Sequence, residues 1–161
     1  MGNLKPQERA WKTNPKMGSE AMHSADFRES FIAYLLSKEG VDVVRASSVG
    51  FDLPAIDSRG RIFPKSKTIC VSVKARISKR STKYRPTIPI GSKKLLAAAR
   101  IWNGDAWVGI VVGSTYPGKE LAAFIFPQQD LSKLRGTAQR KDVVAVSELY
   151  ENPTSRAVRL F

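Results

Sequence analysis

The sequence predicts an α/β domain in which helices pack against a central mixed β-sheet. Short apolar segments with strand character alternate with two amphipathic helical segments, in the order helix, strand, turn, strand, strand, helix, strand, strand. A chain of 161 residues that is 42% hydrophobic is long enough for one domain with a substantial core. We therefore predict a flexible basic arm over residues 1–22 and a single domain over residues 23–161.

The first helix is predicted over residues 24–40. Ser24 is its expected N-cap, and Gly40 is the expected stop. Apolar side chains recur at helical spacing and form one stripe: Phe27, Phe31, Ile32, Tyr34, Leu35 and Leu36. Glu29 lies one turn from Ile32, so this helix carries an acid beside its core-facing stripe.

Two strands follow the first helix. "VDVVRA" is the first, and a small-residue loop, "SSVG", then leads into "FDLPAID". "SRGRIFPKSK" has the turn chemistry of a hairpin connection before the strand "TICVSVKA" at residues 68–75. The odd positions of that strand are apolar, whereas its other face carries Ser72 and Lys74.

The second half of the chain contains both clear and unclear patterns. Residues 78–91 are basic and interrupted by prolines, which indicates a mobile loop or at most an edge strand. A second helix begins with Ser92 as its expected cap, and apolar strands follow over residues 106–113 and 121–127. The tail from Asp130 onward shows no clear pattern.

The charge of the chain is strongly positive and unevenly distributed. Its 27 Lys and Arg residues exceed its 14 Asp and Glu residues by 13. No acid lies between Asp57 and Asp105, and that interval holds thirteen basic residues: Arg59, Arg61, Lys65, Lys67, Lys74, Arg76, Lys79, Arg80, Lys83, Arg85, Lys93, Lys94 and Arg100. Such a concentration favours a partner with a phosphate backbone over a merely solvated face, an acidic protein or a membrane surface.

Other classes are disfavoured by composition. No apolar run approaches the roughly 20 residues of a membrane-spanning helix, and the first residues do not resemble a signal peptide. The single cysteine, Cys70, excludes an internal disulfide, and the single histidine, His23, makes a multi-histidine zinc site impossible. We therefore expect a reducing, cytoplasmic location.

Four residues form a candidate catalytic set: Glu29, Asp52, Ser72 and Lys74. Carboxylate oxygens suit Mg²⁺, which can polarise a phosphodiester and activate a bound water. A lysine can steady the negative charge that develops during hydrolysis. Three of them also have an ordinary interpretation: Glu29 as a surface helix acid, Asp52 as a turn cap and Lys74 as part of the basic strip.

The segments that carry these residues resemble the PD-(D/E)xK nuclease superfamily, and more narrowly the archaeal Holliday-junction-resolvase type. The matching text is "ESFIAYLLSKEGVDVVRASSVGFDLP", "TICVSVKA" and "SKKLLAAARIWNGDAWVGIVV", which spans roughly residues 24–113. Glu29, Asp52 and Lys74 fall on the acidic and lysine positions of the motif, and Ser47 or Ser48 on its serine-bearing loop. Ser72 departs from it, because the family carries an acid there, and Asp57 is the nearest replacement candidate.

The resemblance implies a restriction-endonuclease-like fold and a Mg²⁺-dependent DNA endonuclease, with Mn²⁺ as a substitute. Branched DNA is the expected substrate, within DNA recombination and repair. The alternative is a catalytically weakened or inactive DNA-binding protein that retains the fold. A homodimer is expected, with its interface formed by Trp102, Trp107 or Phe124. The expected DNA contacts are Arg76, Lys79, Arg80, Lys83, Arg85, Lys93 and Lys94.

Overall fold

A computed structural model describes residues 15–46, 50–78, 87–114 and 121–161. The helices of these ranges are α1 (Pro15–Lys38), α2 (Ser92–Ile101), a 3-10 helix (Gln128–Lys133) and α3 (Val146–Glu151). The strands are β1 (Asp42–Val43), β2 (Leu53–Ile56), β3 (Thr68–Ser78), β4 (Thr87–Pro89), β5 (Asp105–Ser114), β6 (Ala122–Pro127), β7 (Val143–Ala145) and β8 (Val158–Arg159). Within the described ranges, no helix is both long and apolar enough to cross a membrane.

The strands form a central mixed sheet in the order β1-β2-β3-β5-β6-β8. Strands β3 and β5 run parallel, because α2 lies in the crossover between them, and the other neighbours in this sheet run antiparallel. Strands β4 and β7 form a separate antiparallel pair. The predicted α/β class with a mixed sheet is confirmed.

Strand β3 lies inside the central sheet and is buried on both faces over its first half. Ile69 and Val71 belong to the apolar cluster that includes Ile32 of α1. Cys70 points the other way, into a second cluster that contains Leu95 of α2. Helices α1 and α2 therefore cover opposite faces of the sheet, and side-chain alternation along β3 decides which helix each residue faces.

Strand β2 fixes the sides on which its flanking acids lie. Its register on β3 places Leu53 opposite Val71 and Pro54 opposite Cys70, so the proline does not interrupt the pairing. Leu53 lies in the cluster beneath α1. Asp57 continues the alternation of β2 toward the α1 side, where Phe63 donates to it. Asp52 precedes the strand, and its contact with the Ser72 hydroxyl places its carboxylate toward the face of β3 that α2 covers.

The N-terminal boundary of the first helix was predicted wrongly. Helix α1 begins at Pro15 rather than at Ser24, so residues 15–22 are helical. The rest of the predicted arm, residues 1–14, lies outside the described residues. The other end of the helix was predicted correctly, because α1 stops at Lys38 and Gly40 adopts a left-handed conformation with φ of 83°.

Helix α2 begins where predicted but is capped differently. Ser92 is already helical, and Gly91 occupies the N-cap position with φ of 78°. The carboxylate of Asp142 accepts hydrogen bonds from the backbone N–H groups of Gly91 and Ser92 and from the Ser92 hydroxyl. The cap is therefore supplied by the loop before β7, which no local sequence pattern could show.

Two of the three expected interface residues are interior. Trp107 and Phe124 are 5% and 2% exposed and pack within the two apolar clusters, so they cannot contribute to a surface. Trp102 is 46% exposed and packs edge-on against Phe51. Of the three, the structure leaves Trp102 accessible.

Candidate active site

Asp52 lies at the point where strand β2 begins to pair with β3. Its backbone N–H donates to the carbonyl oxygen of Val71 at 2.9 Å. Its carboxylate oxygen Oδ2 accepts the Val73 N–H at 2.6 Å and the Ser72 hydroxyl at 3.4 Å. These bonds fix the carboxylate against β3, next to a serine that is only 4% exposed.

Lys74 follows Ser72 by two residues and therefore projects from the same face of β3. Its side chain is half-buried at the end of the apolar part of that face. No described carboxylate forms an ion pair with its ammonium group. The structure thus places a cation, uncompensated by any described acid, on the side of the sheet toward which Asp52 points.

Glu29 approaches from α1, the helix that covers the opposite face of the sheet. Its carboxylate lies 3.4 Å from the guanidinium of Arg45, which also pairs with Asp26 at 2.9 Å. The residue after Arg45, Ala46, donates its backbone N–H to the carbonyl oxygen of Asp52 at 3.3 Å. Glu29 is therefore connected to the Asp52 segment through Arg45, around the edge of the sheet that carries β1.

The segment before Asp52 is held against α2. Gly50 has φ of 112°, and a Cβ atom on it would lie 2.7 Å from the carbonyl oxygen of Lys94. The ring of Phe51 is buried and meets Trp102 edge-on at 5.2 Å. This close approach requires glycine, and it places the first turn of α2 beside the Asp52 segment. Ser47 and Ser48, predicted on the preceding loop, lie outside the described residues.

Asp57, the candidate replacement for the missing acid, has a different role. Its oxygens accept backbone N–H groups at 2.7–3.1 Å from four residues of the turn that follows: Arg59, Gly60, Ile62 and Phe63. Burial opposes ionisation, but the four N–H donors outweigh burial and hold the pKa of Asp57 below its ordinary value. It organises the turn on the far side of the sheet and does not complete the Asp52 site.

Three of the seven candidate DNA contacts lie within the residues that the structure describes. Arg76 lies exposed on β3, and Lys93 and Lys94 lie exposed on the first turn of α2. The other four predicted contacts lie outside the described residues: Lys79, Arg80, Lys83 and Arg85. The three described residues occupy the two elements, β3 and α2, that flank the Asp52 segment.

The donor atoms around Asp52 are the ones that a hard cation prefers. The Asp52 carboxylate and the Ser72 hydroxyl supply oxygen ligands, and Mg²⁺ commonly uses one or two carboxylates, several waters and substrate phosphates. In the part of the chain that the structure describes, no three His, Cys, Asp or Glu side chains cluster closely enough to hold a metal. The donors therefore fit an ion completed by water and substrate, and not a closed structural site.

Sequence reasoning missed Arg45 and Asp142. Arg45 stands within the predicted strand "VDVVRA", where nothing indicates that it pairs with two acids of α1. Asp142 follows two basic residues in a segment without periodicity. Both contacts join segments that are distant in the sequence.

Comparison with known proteins supports the fold. No family model and no curated protein matches the chain. Among solved structures, the chain is similar to Hjc, a Holliday junction resolvase from the archaeal hyperthermophile Archaeoglobus fulgidus, with a TM-score of 0.50. The match covers 76% of this chain and 88% of that chain at 18% sequence identity. The resolvase-like fold expected from the sequence is confirmed.

Proposed function

We propose that the protein is a metal-dependent endonuclease that cuts DNA inside the cell, with branched DNA as its preferred substrate. The observation that supports this most directly is the contact between the Asp52 carboxylate and Ser72, with Lys74 on the same face of β3. The structure of Hjc, a Holliday junction resolvase, shares this fold. Asp52 and Lys74 also stand at the motif positions identified from the sequence.

In this proposal each residue has a separate task. Asp52 would hold a divalent ion, Mg²⁺ or Mn²⁺, with Glu29 of α1 as the second carboxylate, and Ser72 would contribute a neutral oxygen where an acid would give a charged one. The bound ion would polarise the scissile phosphate and lower the pKa of a coordinated water. Lys74 stabilises the charge that develops on the phosphoryl oxygens, because no described acid neutralises its ammonium group.

Substrate affinity comes from the basic strip. Arg76 on β3 and Lys93 and Lys94 on α2 are exposed beside the Asp52 segment, and they would contact phosphates without reading bases. Replacing one of these cations with a neutral residue should lower the salt slope of DNA binding by about one. A homodimer would allow two strands to be cut, and the exposed Ile101 and Trp102 at the end of α2 supply an apolar surface for it.

Ser72 favours a second candidate, a DNA-binding protein with little or no nuclease activity. A buried hydroxyl replaces one charged ligand of the ion, so metal affinity would be lower than in a site with three carboxylates. This alternative predicts tight, salt-dependent DNA binding and no cleavage.

A cleavage panel distinguishes the two candidates. Linear, flapped, single-stranded and four-way DNA are incubated with the protein in Mg²⁺ and in Mn²⁺, and products are separated on a denaturing gel. The nuclease predicts metal-dependent products that disappear in Asp52→Asn and Lys74→Met. Binding to the four-way junction without products in either metal would establish the alternative.

The substitution Ser72→Glu tests the missing ligand itself. A carboxylate at this position should increase turnover or lower the metal concentration needed for half-maximal cleavage. Ser72→Gln has the same size without the charge and serves as the control. Because Ser72 is buried, thermal unfolding must first show that both variants fold; equal activity in two folded variants would then show that the missing charge does not limit the reaction.

A further inference from the structure

Arg45 pairs with Glu29, one of the two acids that the proposed divalent ion would use. Its Nη2 atom lies 2.9 Å from Asp26 Oδ1 and 3.4 Å from Glu29 Oε2, so one guanidinium nitrogen bridges two acids of α1. An ion at Glu29 would have to approach a carboxylate that already has a positive partner. The arginine and the ion therefore compete for the negative charge of Glu29, whose Oε2 atom Arg45 already contacts.

The ion pairs of Arg45 with Asp26 and Glu29 are exposed enough for another anion to replace the two acids. The side chain of Arg45 is 50% exposed and that of Asp26 is 62% exposed, so water and salt screen their attraction. Glu29 is the more enclosed acid, at 20% exposure, and depends more on its partner. Both ion pairs use Nη2, which leaves the other donors of the guanidinium out of these two contacts.

A DNA phosphate is the competitor that the surroundings favour. Guanidinium groups bind phosphate through two parallel hydrogen bonds, which a single shared nitrogen does not provide to Glu29 or Asp26. Arg45 precedes Ala46, whose N–H is bonded to Asp52, so its position is tied to the segment that the substrate would contact. Movement of Arg45 to a phosphate would release Glu29 to the metal.

We propose that Arg45 couples DNA binding to metal binding by leaving Glu29 for a backbone phosphate. This inference rests on the proposed function and adds to it a positioning residue that acts through Glu29. Without DNA, the bridge keeps the affinity for the ion low; with DNA, the same acid becomes available. Because such coupling is reciprocal, the ion should also increase the affinity for DNA.

The test measures Mn²⁺ binding to the full chain without DNA, from the electron paramagnetic resonance signal of free Mn²⁺. Arg45→Gln should lower the Mn²⁺ Kd by about fivefold or more, the smaller end of typical coupling between sites. Arg45→Lys keeps the charge and should stay nearer to the unmodified protein. Asp26→Asn is the matched control, because it removes the other half of the bridge and leaves Arg45 on Glu29; it should not lower the Kd.

The Mn²⁺-binding results distinguish a failure of this inference from a failure of the proposed function. If Asp52→Asn abolishes Mn²⁺ binding while Arg45→Gln leaves the Kd unchanged, the coupling role of Arg45 is wrong and the metal site stands. If Asp52→Asn binds Mn²⁺ as tightly as the unmodified protein, the metal site itself is wrong. Thermal unfolding of each variant without metal shows whether it is folded, and the half-exposed Arg45 leaves its substitution compatible with folding.

Discussion

Asp52 and Asp57 flank strand β2, but their carboxylates differ in burial and in the hydrogen bonds that they accept. Asp57 is 1% exposed and accepts four backbone N–H groups with its two oxygens. Asp52 accepts one N–H and one hydroxyl, both at Oδ2, so neither of these bonds uses Oδ1. A carboxylate satisfied by its own turn stabilises the fold. A carboxylate with acceptor capacity to spare, on the same side of the sheet as a lysine that no described acid neutralises, can bind a ligand.

The largest effect should come from Asp52→Asn, measured as DNA cleavage. We expect activity to fall by about 10²–10³-fold, the range found when one group that stabilises a reacting centre is removed. The free energy of unfolding should change by less than about 1 kcal/mol, because the amide oxygen can still accept the Val73 N–H. Cleavage near the level of the unmodified protein would place the reaction elsewhere.

Asp57→Asn should have the opposite effect, a loss of stability without a loss of cleavage. An amide would point its NH₂ donors at backbone N–H groups that now donate to a carboxylate, so we expect the free energy of unfolding by urea to fall by about 3 kcal/mol. Cleavage per folded molecule should be unchanged, since Asp57 lies toward the other face of the sheet. Reduced cleavage with unchanged stability would contradict the division of tasks.

The same residue predicts a pH dependence. The pKa of Asp57 is lower in the folded protein than its value of about 3.9 in an unfolded chain. Its contribution to stability is therefore complete above that value and is lost as the pH falls through the folded-state pKa. The difference in unfolding free energy between the unmodified protein and Asp57→Asn should shrink below about pH 4. A difference that stays constant down to about pH 2 would exclude this origin.

Gly50 and Gly91, both beside the site, separate the effect of close packing from the effect of backbone strain. Both have positive φ, but a Cβ on Gly50 would meet Lys94 O at 2.7 Å and Ala98 Cβ at 2.8 Å, whereas Gly91 has nothing within 4 Å. Gly50→Ala should lower the free energy of unfolding by about 2 kcal/mol and reduce cleavage, since the Asp52 segment must move off α2. Gly91→Ala should cost about 1 kcal/mol from backbone strain alone. Equal destabilisation of the two variants would show that the packing of Gly50 on α2 is unimportant.

The smallest expected effect is a loss of stability at the N-terminal cap of α2. Asp142→Ala removes the acceptor for the N–H groups of Gly91 and Ser92 and should cost about 1 kcal/mol of stability. Asp105→Ala is the control, because its ion pair with Lys67 is exposed on both sides and should contribute less than about 0.5 kcal/mol. Thermal unfolding at equal salt compares the two variants, and equal shifts would refute the cap.

Local patterns in the sequence were sufficient to predict the layers of the fold. Alternation along "TICVSVKA" correctly separated the apolar side of β3 from the side that carries Ser72 and Lys74, because side-chain direction repeats every two residues in any strand. The motif-like order of acid, acid and lysine suggested a fold that the comparison with a solved resolvase then confirmed.

The partners of individual side chains were decided by tertiary structure. Sequence spacing could not show that Arg45 bridges Asp26 and Glu29, that Asp142 caps α2, or that Trp107 lies in the core rather than at a surface. Side-chain periodicity depends only on neighbouring residues, so a short window of sequence contains it. A contact between distant segments depends on how whole elements pack, and a window of sequence does not contain that information.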